Sequence, residues 1–369
     1  GYTSGSLDGN ISAGGDDIFV AKYDNVGNRI WTRQLGTAAN DWGSDVATDS
    51  NDNVYVTGYT SGGLDGNTNV GNWDAFILKY NSSGVKQWTR QLGTSAMDIG
   101  LSVSTDSSGN VYIAGKTDGA LDNNISAGGT DLFVVKYDGA GAKQWTQQLG
   151  TWRVDIGYGI AADDFGNVYV TGNSWSGLDG NTSSGNADII LVKYDSSGIK
   201  QWTIQTGTSA TDDGTDIAVD KSGNIYLSAY TLGALSGNTF SGGSYTGDAA
   251  ILKYDSNGVR QWTQLLGSSS NEVGHSVSLD SHGNVYVSGY TQGGLDGNSN
   301  AGGDDIFIVK YTSGGVKQWT QQYGTSANES GNYLTIDGSD NIYVTGYTNG
   351  GLNGNTNLGN ADIFLMKLK

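Results

Sequence analysis

The chain has 369 residues, among them 60 glycines but neither proline nor cysteine, and 37 acidic against 19 basic residues give a net charge of −18. The absence of cysteine excludes disulfides, thiolate zinc sites and a cysteine nucleophile. The acidic balance argues against binding to nucleic acid or to anionic membranes and is compatible with divalent cations or neutral ligands such as sugars.

An internal repeat of 57 residues runs through the whole chain and sets its organisation. Its leucine recurs at a spacing of 57 residues five times and of 60 residues once, and its tryptophan keeps the same step. The units begin near residues 1, 58, 115, 172, 229, 289 and 346, and the first and last units are incomplete. The repeated side chains are Leu7, Leu64, Leu121, Leu178, Leu235, Leu295 and Leu352, with Trp31, Trp88, Trp145, Trp202, Trp262 and Trp319.

Each repeat unit predicts four short strands separated by clusters of Gly, Asn, Asp and Ser. Near-continuous apolar stretches such as IFIV (306–309) indicate that the sheets are buried on both faces. Four-stranded sheets that stack radially provide this burial, so we predict an all-β fold, a β-propeller of four-stranded antiparallel blades in one domain over residues 1–369. In the third unit the strands are GLSVSTDS (100–107), NVYIAGKT (110–117), DLFVVKYD (131–138) and AKQWTQQLG (142–150).

The number of blades has two interpretations. The block containing DIFVVKY occurs seven times, whereas the tryptophan strand and the two strands after it occur six times. The first interpretation is seven blades with incomplete terminal units. The second is six blades, in which the strand of Trp31 completes a blade begun by residues 331–369 and one strand is left over. We favour seven.

Two resemblances follow from these blocks. The run GxSVxTDSSGNVYVTGYT…DIFVVKYDSSG resembles the bacterial SBBP family over essentially the whole chain, which implies a seven-bladed propeller of an exported or surface protein and no catalytic residues. The spacing D-x-x-G-x-x-x-W is similar to the tryptophan-docking motif of quinoprotein propellers, which implies that the tryptophan packs between blades. We expect the D-x-x-G turns to be structural, because Asp caps its own turn and Gly supplies a positive φ. Examples of this motif are Asp24, Gly27 and Trp31, and Asp138, Gly141 and Trp145.

Four tryptophans depart from the repeat and mark a candidate ligand surface. Trp42, Trp73, Trp152 and Trp175 all fall in the long polar loop or in the link between blades, which should share one face of the propeller. Exposed indoles often mark recognition surfaces, and sugar rings stack on them. Arg153 could add a charge or stack on Trp152. The alternative, that these rings cap blade ends and pack down, stays open.

The long loop also carries a candidate calcium motif, D-x-N-x-[NS]-x₄-D, in five copies. Side-chain oxygens at every second position are typical of loops that wrap Ca²⁺. However, the sixth position is not Gly and the closing carboxylate comes early, so a network of Asx turns is the competing interpretation. The predicted ligands are Asp8, Asn10 and Asp17; Asp65, Asn67, Asn69 and Asp74; Asp122, Asn124 and Asp131; Asp179, Asn181 and Asp188; and Asp296, Asn298, Asn300 and Asp305.

The function that these patterns favour is non-enzymatic recognition. The two histidines, His275 and His282, should lie at opposite ends of one strand, too far apart for joint catalysis. We therefore predict an extracellular or cell-surface module that binds a glycan or a surface protein, with no required cofactor, calcium as an option, and no nucleic acid or membrane insertion. One alternative is an architectural spacer or assembly unit of a longer surface repeat protein. The other is a polysaccharide-processing enzyme with an acidic pair near the channel mouth. Self-association through the incomplete terminal units is a further expectation.

Overall fold

The computed structural model describes residues 1–368, which form 26 strands in seven antiparallel sheets. The fold is a seven-bladed β-propeller. Strand β3, which carries Trp31, pairs with β2 in the first sheet. The prediction of an all-β propeller with seven blades is therefore confirmed, and the six-blade interpretation, in which the strand of Trp31 completes the last blade, is wrong.

Five sheets have four strands, and the first and last have three. Sheet 1 contains β1 (Tyr2–Thr3), β2 (Asp17–Tyr23) and β3 (Arg29–Leu35). Sheet 2 contains β4 (Asp41–Thr48), β5 (Val54–Thr60), β6 (Asp74–Tyr80) and β7 (Lys86–Leu92), and sheet 3 contains β8 (Asp98–Thr105), β9 (Val111–Thr117), β10 (Asp131–Tyr137) and β11 (Lys143–Leu149). Sheet 4 contains β12 (Asp155–Ala162), β13 (Val168–Ser174), β14 (Asp188–Tyr194) and β15 (Lys200–Thr206).

The remaining sheets continue the same order. Sheet 5 contains β16 (Asp212–Val219), β17 (Ile225–Thr231), β18 (Asp248–Tyr254) and β19 (Arg260–Leu266), and sheet 6 contains β20 (Glu272–Leu279), β21 (Val285–Thr291), β22 (Asp305–Tyr311) and β23 (Lys317–Tyr323). Sheet 7 contains β24 (Glu329–Ile336), β25 (Ile342–Thr348) and β26 (Asp362–Leu368). The helical elements of the described residues are single 3₁₀ turns at Leu64–Gly66, Leu121–Asn123, Leu178–Gly180, Leu235–Gly237 and Leu352–Gly354.

The described residues divide into two compact units. Unit 1 comprises Gly1–Val170, Ser176–Gly180 and Val192–Thr203, and unit 2 comprises Thr171–Trp175, Asn181–Leu191 and the residues from Ile204 onward. Sheets 1 to 3 thus belong to unit 1 and sheets 5 to 7 to unit 2. None of the helical segments in residues 1–368 is long and apolar enough to cross a bilayer.

The predicted strands of the third unit agree with the structure except at the first strand. Strand β8 begins at Asp98, two residues before the prediction, and its register with β9 shifts between Gly100 and Ser102. This irregularity is a β-bulge, which a period-two pattern in the sequence does not reveal. The extension adds two residue pairs, Asp98 with Thr117 and Ile99 with Lys116.

Four of the repeated tryptophans, Trp31, Trp88, Trp145 and Trp262, each join their own sheet to the following one. The Nε1 of Trp88 in sheet 2 donates to the carbonyl oxygen of Gly139 in sheet 3 at 3.3 Å. Gly141, at φ +81°, lies so close to this indole that a Cβ atom there would approach ring atoms at 2.9 Å. The predicted packing between blades is confirmed, but the tryptophan docks on the D-x-x-G turn of the following sheet. Equivalent bonds join Trp31 to Ser82, Trp145 to Ser196 and Trp262 to Ser313.

The D-x-x-G turns have the predicted internal geometry. One carboxylate oxygen of Asp138 accepts hydrogen bonds from the backbone N–H groups of Ala140 and Ala142, at 3.0 and 2.9 Å. The glycine supplies the positive φ that closes the turn. These aspartates therefore shape the turn on which the tryptophan of the previous sheet packs.

Truncating a docking tryptophan should destabilise the propeller. We expect Trp88→Ala to lower the free energy of unfolding by about 3 kcal/mol, because it removes the ring contact with Gly141 and the hydrogen bond to Gly139. Urea denaturation followed by far-UV circular dichroism measures this loss. Gln87→Ala, at the neighbouring exposed position, is the control and should change the free energy by less than about 0.5 kcal/mol. Equal effects of the two substitutions would contradict the docking role.

Two buried carboxylates recur in the sheets, one at the start of the first strand and one at the start of the third. In sheet 3, Asp98 accepts hydrogen bonds from the backbone N–H and the hydroxyl of Thr94, at 2.6 and 2.9 Å, and from the hydroxyl of Thr117 at 2.5 Å. In sheet 2, Asp74 accepts from Val70 N–H and from the side-chain amide of Gln91. Both carboxylates are fully buried. Burial raises the pKa of Asp98, and the negative charge of Asp74 adds to this shift.

Candidate functional site

Four aromatic rings of unit 1 meet at the end of sheet 2 and form what we call the aromatic cluster: Tyr2, Trp42, Tyr59 and Trp73. Trp42 lies on β4 directly opposite Tyr59 on β5, and Trp73 immediately precedes β6. The Trp42 and Trp73 rings stack with centroids 5.0 Å apart and planes 26° apart. Tyr59 meets both indoles edge-on, at 5.1 and 5.0 Å, and Tyr2 lies 5.4 Å from Trp42.

The aromatic cluster is anchored but open to solvent. The indole N–H of Trp42 donates to a carboxylate oxygen of Asp16 at 2.7 Å, which fixes the orientation of the ring. Trp42, Tyr59 and Trp73 are partly exposed, and Tyr2 is 56% exposed. Burial raises the pKa of Tyr59 to about 12, so its hydroxyl stays protonated at neutral pH. The cluster thus offers aromatic surface beside a neutral hydroxyl and a carboxylate.

The long loop and the link between blades lie side by side, as predicted. Trp73 at the end of the long loop of sheet 2 forms a parallel β-bridge with Met97, which lies in the link to sheet 3. The backbone N–H of Asp98 donates to the carbonyl oxygen of Trp73 at 2.7 Å. This pairing holds the backbone of Trp73 beside the link to sheet 3.

The predicted ligand residues fall into three places. Trp42 and Trp73 come together in the aromatic cluster. Trp152 lies in the link before β12, is 73% exposed, and carries the guanidinium of Arg153 at 5.4 Å over its ring, as the sequence suggested. Trp175 directly follows β13 and belongs to unit 2.

Sequence reasoning missed Tyr2 and Tyr59. Tyr59 belongs to the block GYT, which recurs in several units, so it does not stand out as an exception to the repeat. The signal that would have found it is its cross-strand position opposite Trp42, since directly opposed side chains on one face of a sheet are in contact.

The candidate calcium loops are held together by groups of the chain. In the loop of sheet 2, the Asp65 carboxylate forms an ion pair with Lys86 and accepts a hydrogen bond from Thr89 at 2.9 Å. The side-chain nitrogen of Asn67 donates to the carbonyl oxygen of Leu64 at 2.8 Å. The other four loops repeat the ion pair, between Asp8 and Arg29, Asp122 and Lys143, Asp179 and Lys200, and Asp296 and Lys317.

This arrangement does not fit a calcium ion well. In each of the five loops, a cationic side chain lies against the first carboxylate, where Ca²⁺ would require oxygen atoms. Residues 1–368 also contain no group of three acidic or histidine side chains placed to hold a metal ion. The contacts correspond to the network of Asx turns that the sequence offered as the competing interpretation.

Calcium should therefore have little effect on stability. We expect the midpoint of thermal unfolding in millimolar calcium chloride and in EDTA to agree within about 1 °C, because a ligand stabilises only the state that binds it. Differential scanning fluorimetry over a calcium series tests this expectation. A midpoint that rises steadily with calcium concentration would show that the loops rearrange to bind the ion. Magnesium chloride at equal ionic strength is the control.

The two histidines lie in different surroundings. His275 is within β20, its ring meets Tyr290 edge-on at 5.5 Å, and burial lowers its pKa. His282 lies in the turn after β20, with its Nδ1 3.3 Å from an Asp340 carboxylate oxygen, and its side chain is 75% exposed. They have different partners, and His275 lies inside β20 rather than at the end of the strand that the sequence predicted.

Comparison with known families identifies the repeat. The SBBP family model, described as a β-propeller repeat, matches residues 30–65, 87–121, 144–179, 201–235, 261–296 and 318–353. These segments make up more than half of the chain. The chain belongs to the SBBP family. This confirms the resemblance drawn from the GNVYVTG and DIFVVKY blocks.

Individual similarities of this SBBP chain are more distant. An uncharacterized WD repeat-containing protein, L264, of Acanthamoeba polyphaga mimivirus is 26% identical over 76% of this chain and 27% of its own length. The regulatory protein FlaEY of Caulobacter vibrioides is 32% identical over 47% of this chain and 20% of its own length. The chain thus spans about a quarter or less of these relatives.

A solved structure supports the fold alone. The structure of a polysaccharide lyase of family PL25, an ulvan lyase bound to a GlcA and Rha3S saccharide, matches with a TM-score of 0.51 and 11% identity over 95% of this chain and 86% of that one. At this identity the similarity concerns the fold of the SBBP chain alone and transfers no site residue.

Proposed function

We propose that this SBBP propeller is a non-enzymatic recognition module that binds neutral polysaccharide through the aromatic cluster. The observation that carries the proposal is the partly exposed stack of Trp42 and Trp73 with Tyr59 at its edge. The apolar C–H face of a sugar ring packs well on an indole, and its hydroxyls would find Asp16 and the Tyr59 hydroxyl nearby. A preformed cluster of this kind limits the entropy that is lost on binding.

The charge of the chain supports a neutral rather than an acidic ligand. At a net charge of −18, the chain repels uronic and sulfated chains over long distances. Asp16 at the aromatic cluster adds a local negative charge. The ulvan lyase carries an acidic saccharide, so the similarity in fold is not an argument for the same ligand.

We propose that the site has no catalytic role. We also propose that the protein is exported or lies at the cell surface, where it meets polysaccharides. Catalysis needs a group of reactive residues that departs from the repeat. The buried acids instead recur at matching positions in successive blades, where they accept backbone and threonine hydrogen bonds, as Asp41 and Asp98 do.

Affinity electrophoresis tests the proposal. The protein is run through native gels that contain neutral chains such as laminarin, glucomannan or xyloglucan, or acidic chains such as alginate or ulvan, in calcium and in EDTA. We expect at least one neutral chain to retard the protein equally in both buffers, and acidic chains to leave its mobility unchanged. A mobility unchanged by every neutral chain would overturn the proposal.

A second candidate function is assembly, and an exposed apolar strand supports it. On β26, Ile363 is 55% exposed and Leu365 is 47% exposed. The equivalent residues of sheet 6, Ile306 and Ile308, are fully buried in a cluster with Leu334 of sheet 7. Apolar side chains exposed at a position that other sheets cover favour contact with a second copy or a partner.

Light scattering separates this candidate from the first. Self-association through β26 would give a molar mass that rises with protein concentration and returns to that of a monomer in the variant Leu365→Asp. A mass equal to one chain at every concentration would exclude self-association through this strand. Val316→Asp, an exposed position in the turn before β23, is the control.

A further inference from the structure

Unit 2 contains a row of tyrosines at the position that Tyr59 occupies in sheet 2. Tyr230, Tyr290 and Tyr347 are each the penultimate residue of β17, β21 and β25. Tyr230 and Tyr290 are partly exposed, and Tyr347 is 37% exposed. Together with Asn271 and Asp304 they make up what we call the tyrosine strip.

Hydrogen bonds join the first two tyrosines through one asparagine. The Tyr230 hydroxyl donates to Oδ1 of Asn271 at 3.2 Å, and Nδ2 of Asn271 donates to the Tyr290 hydroxyl oxygen at 3.1 Å. The backbone N–H of Gly247 also donates to Oδ1 of Asn271, at 2.9 Å, which fixes the amide orientation. Since Tyr290 accepts in this chain of bonds, its own O–H is left to donate elsewhere.

Negative charge borders the tyrosine strip. The side-chain amide of Gln292 holds one oxygen of the Asp304 carboxylate at 2.9 Å. Burial raises the pKa of Tyr290 and of Tyr347, and the charge of Asp304 adds to both shifts. The strip therefore combines ring surface, a phenol donor and a carboxylate acceptor, all at neutral pH. This combination matches a ligand with many hydroxyls and without negative charge.

The cross-strand neighbour of Tyr230 extends the strip. Asp213 lies opposite Tyr230 on β16, and Asn173 donates to its carboxylate at 2.5 Å. Asn173 is 4% exposed, and its side-chain oxygen has no hydrogen-bond partner among the described residues. A buried amide oxygen without a partner costs free energy.

We propose that the tyrosine strip is a second saccharide subsite, which takes hydroxyl-rich, uncharged sugar units and rejects uronic or sulfated ones. This inference rests on the proposed function and extends it from one aromatic cluster in unit 1 to a separate polar aromatic surface in unit 2. The tyrosine rings stack on sugar faces, the Tyr290 hydroxyl donates, and Asp304 accepts. An anionic sugar would have to approach Asp304 against its charge.

The double variant Tyr230→Phe and Tyr290→Phe tests the strip, because it keeps both rings and removes both hydroxyls. In affinity electrophoresis with the neutral polysaccharide that retards the wild type most, we expect its dissociation constant to rise about threefold to tenfold. The double variant Trp42→Ala, Trp73→Ala should keep residual binding. Adding the two tyrosine substitutions to this variant should remove that binding. Tyr323→Phe, whose hydroxyl bonds to Gln321 on β23, is the matched control and should bind like the wild type.

The outcomes separate the two proposals. If a neutral chain retards the wild type and the Tyr230→Phe, Tyr290→Phe variant has the same affinity for it, the proposal of the tyrosine strip is overturned. The proposal of the aromatic cluster is not affected by that result. A wild type that no neutral chain retards overturns both. Asp304→Asn tests the charge selection separately. It should lower the ratio of neutral to acidic polysaccharide affinity, and an unchanged ratio overturns that part of the proposal.

Discussion

Replacing Trp42 and Trp73 together by alanine should raise the dissociation constant for neutral polysaccharide at least about tenfold, which corresponds to about 1.4 kcal/mol. The substitution removes the stacked surface on which the sugar ring would lie and leaves Tyr59 without its two edge contacts. Residues of this type at the centre of an interface typically carry much of its binding energy. Affinity electrophoresis against the polysaccharides that retard the wild type measures the change.

Two controls decide whether such a loss belongs to the aromatic cluster. Trp152→Ala removes an indole that is more exposed and has no part in the cluster, so binding should be retained. Circular dichroism and thermal unfolding of the double variant must show that the fold persists. If the folded double variant binds like the wild type, the aromatic cluster is not the recognition surface.

The second large effect concerns pH, and we expect the protein to be more stable at about pH 5 than at about pH 7.5. Burial raises the pKa of several carboxyl groups in the folded state, with the nearby negative charge of a second acid adding to the shift in most of them. Because the folded state disfavours the charged form of these acids, they destabilise the protein at neutral pH. The groups are Asp41, Asp45, Asp98, Asp212, Asp213 and Asp248.

The direction of the effect reverses at lower pH. For a carboxyl group whose pKa is raised in the folded state, the stability of the protein increases as the pH falls from the folded-state pKa towards the ordinary pKa of 3.8. Other carboxyls have a lowered pKa, and they lose their stabilising contribution below 3.8. Asp337 is the clearest of these: hydrogen bonds from Asn341 and Ser339 lower its pKa to about 2. Stability should therefore pass through a maximum in mildly acidic solution.

Asp98→Asn provides a direct test of this account. An asparagine amide can donate to the Thr117 hydroxyl, and its oxygen can accept from the Thr94 N–H, so the network survives without a charge. The variant should match or exceed the wild type at about pH 7.5 and lose part of the gain towards about pH 5. Asp337→Asn is the control with the opposite expected sign, because the pKa of Asp337 is lowered in the folded state. This variant should be less stable than the wild type at neutral pH. A wild type least stable near pH 5 would contradict the role of the buried acids.

The repeat made most of the fold predictable from sequence. A leucine, a tryptophan and the DIFVVKY block at a constant spacing determine where strands lie, since every unit must bury the same side chains. The pairing partner of Trp88 was not predictable in the same way. The turn that precedes it, residues 81–84, is close in sequence, yet the indole docks 51 residues further on, at Gly139 of the next sheet.

The site was predictable only in part, and the reasons are physical. Exceptional residues such as Trp42 and Trp73 stand out against a repeat, but their stacking depends on the bridge between Trp73 and Met97. The ion pair of Asp65 with Lys86 joins residues 21 positions apart. A motif of alternating oxygens does not reveal such a partner, although that partner argues against calcium.

The most direct test of the central claim is a titration of ¹⁵N-labelled protein with a neutral hexasaccharide, followed through the indole N–H signals of the ten tryptophans. The account predicts that the signals of Trp42, bonded to Asp16, and of Trp73 shift with ligand concentration. Signals of the docking tryptophans, such as Trp88 and Trp145, should stay in place. Saturable shifts elsewhere with Trp42 and Trp73 unchanged, or no shift with any neutral hexasaccharide, would contradict recognition through the aromatic cluster.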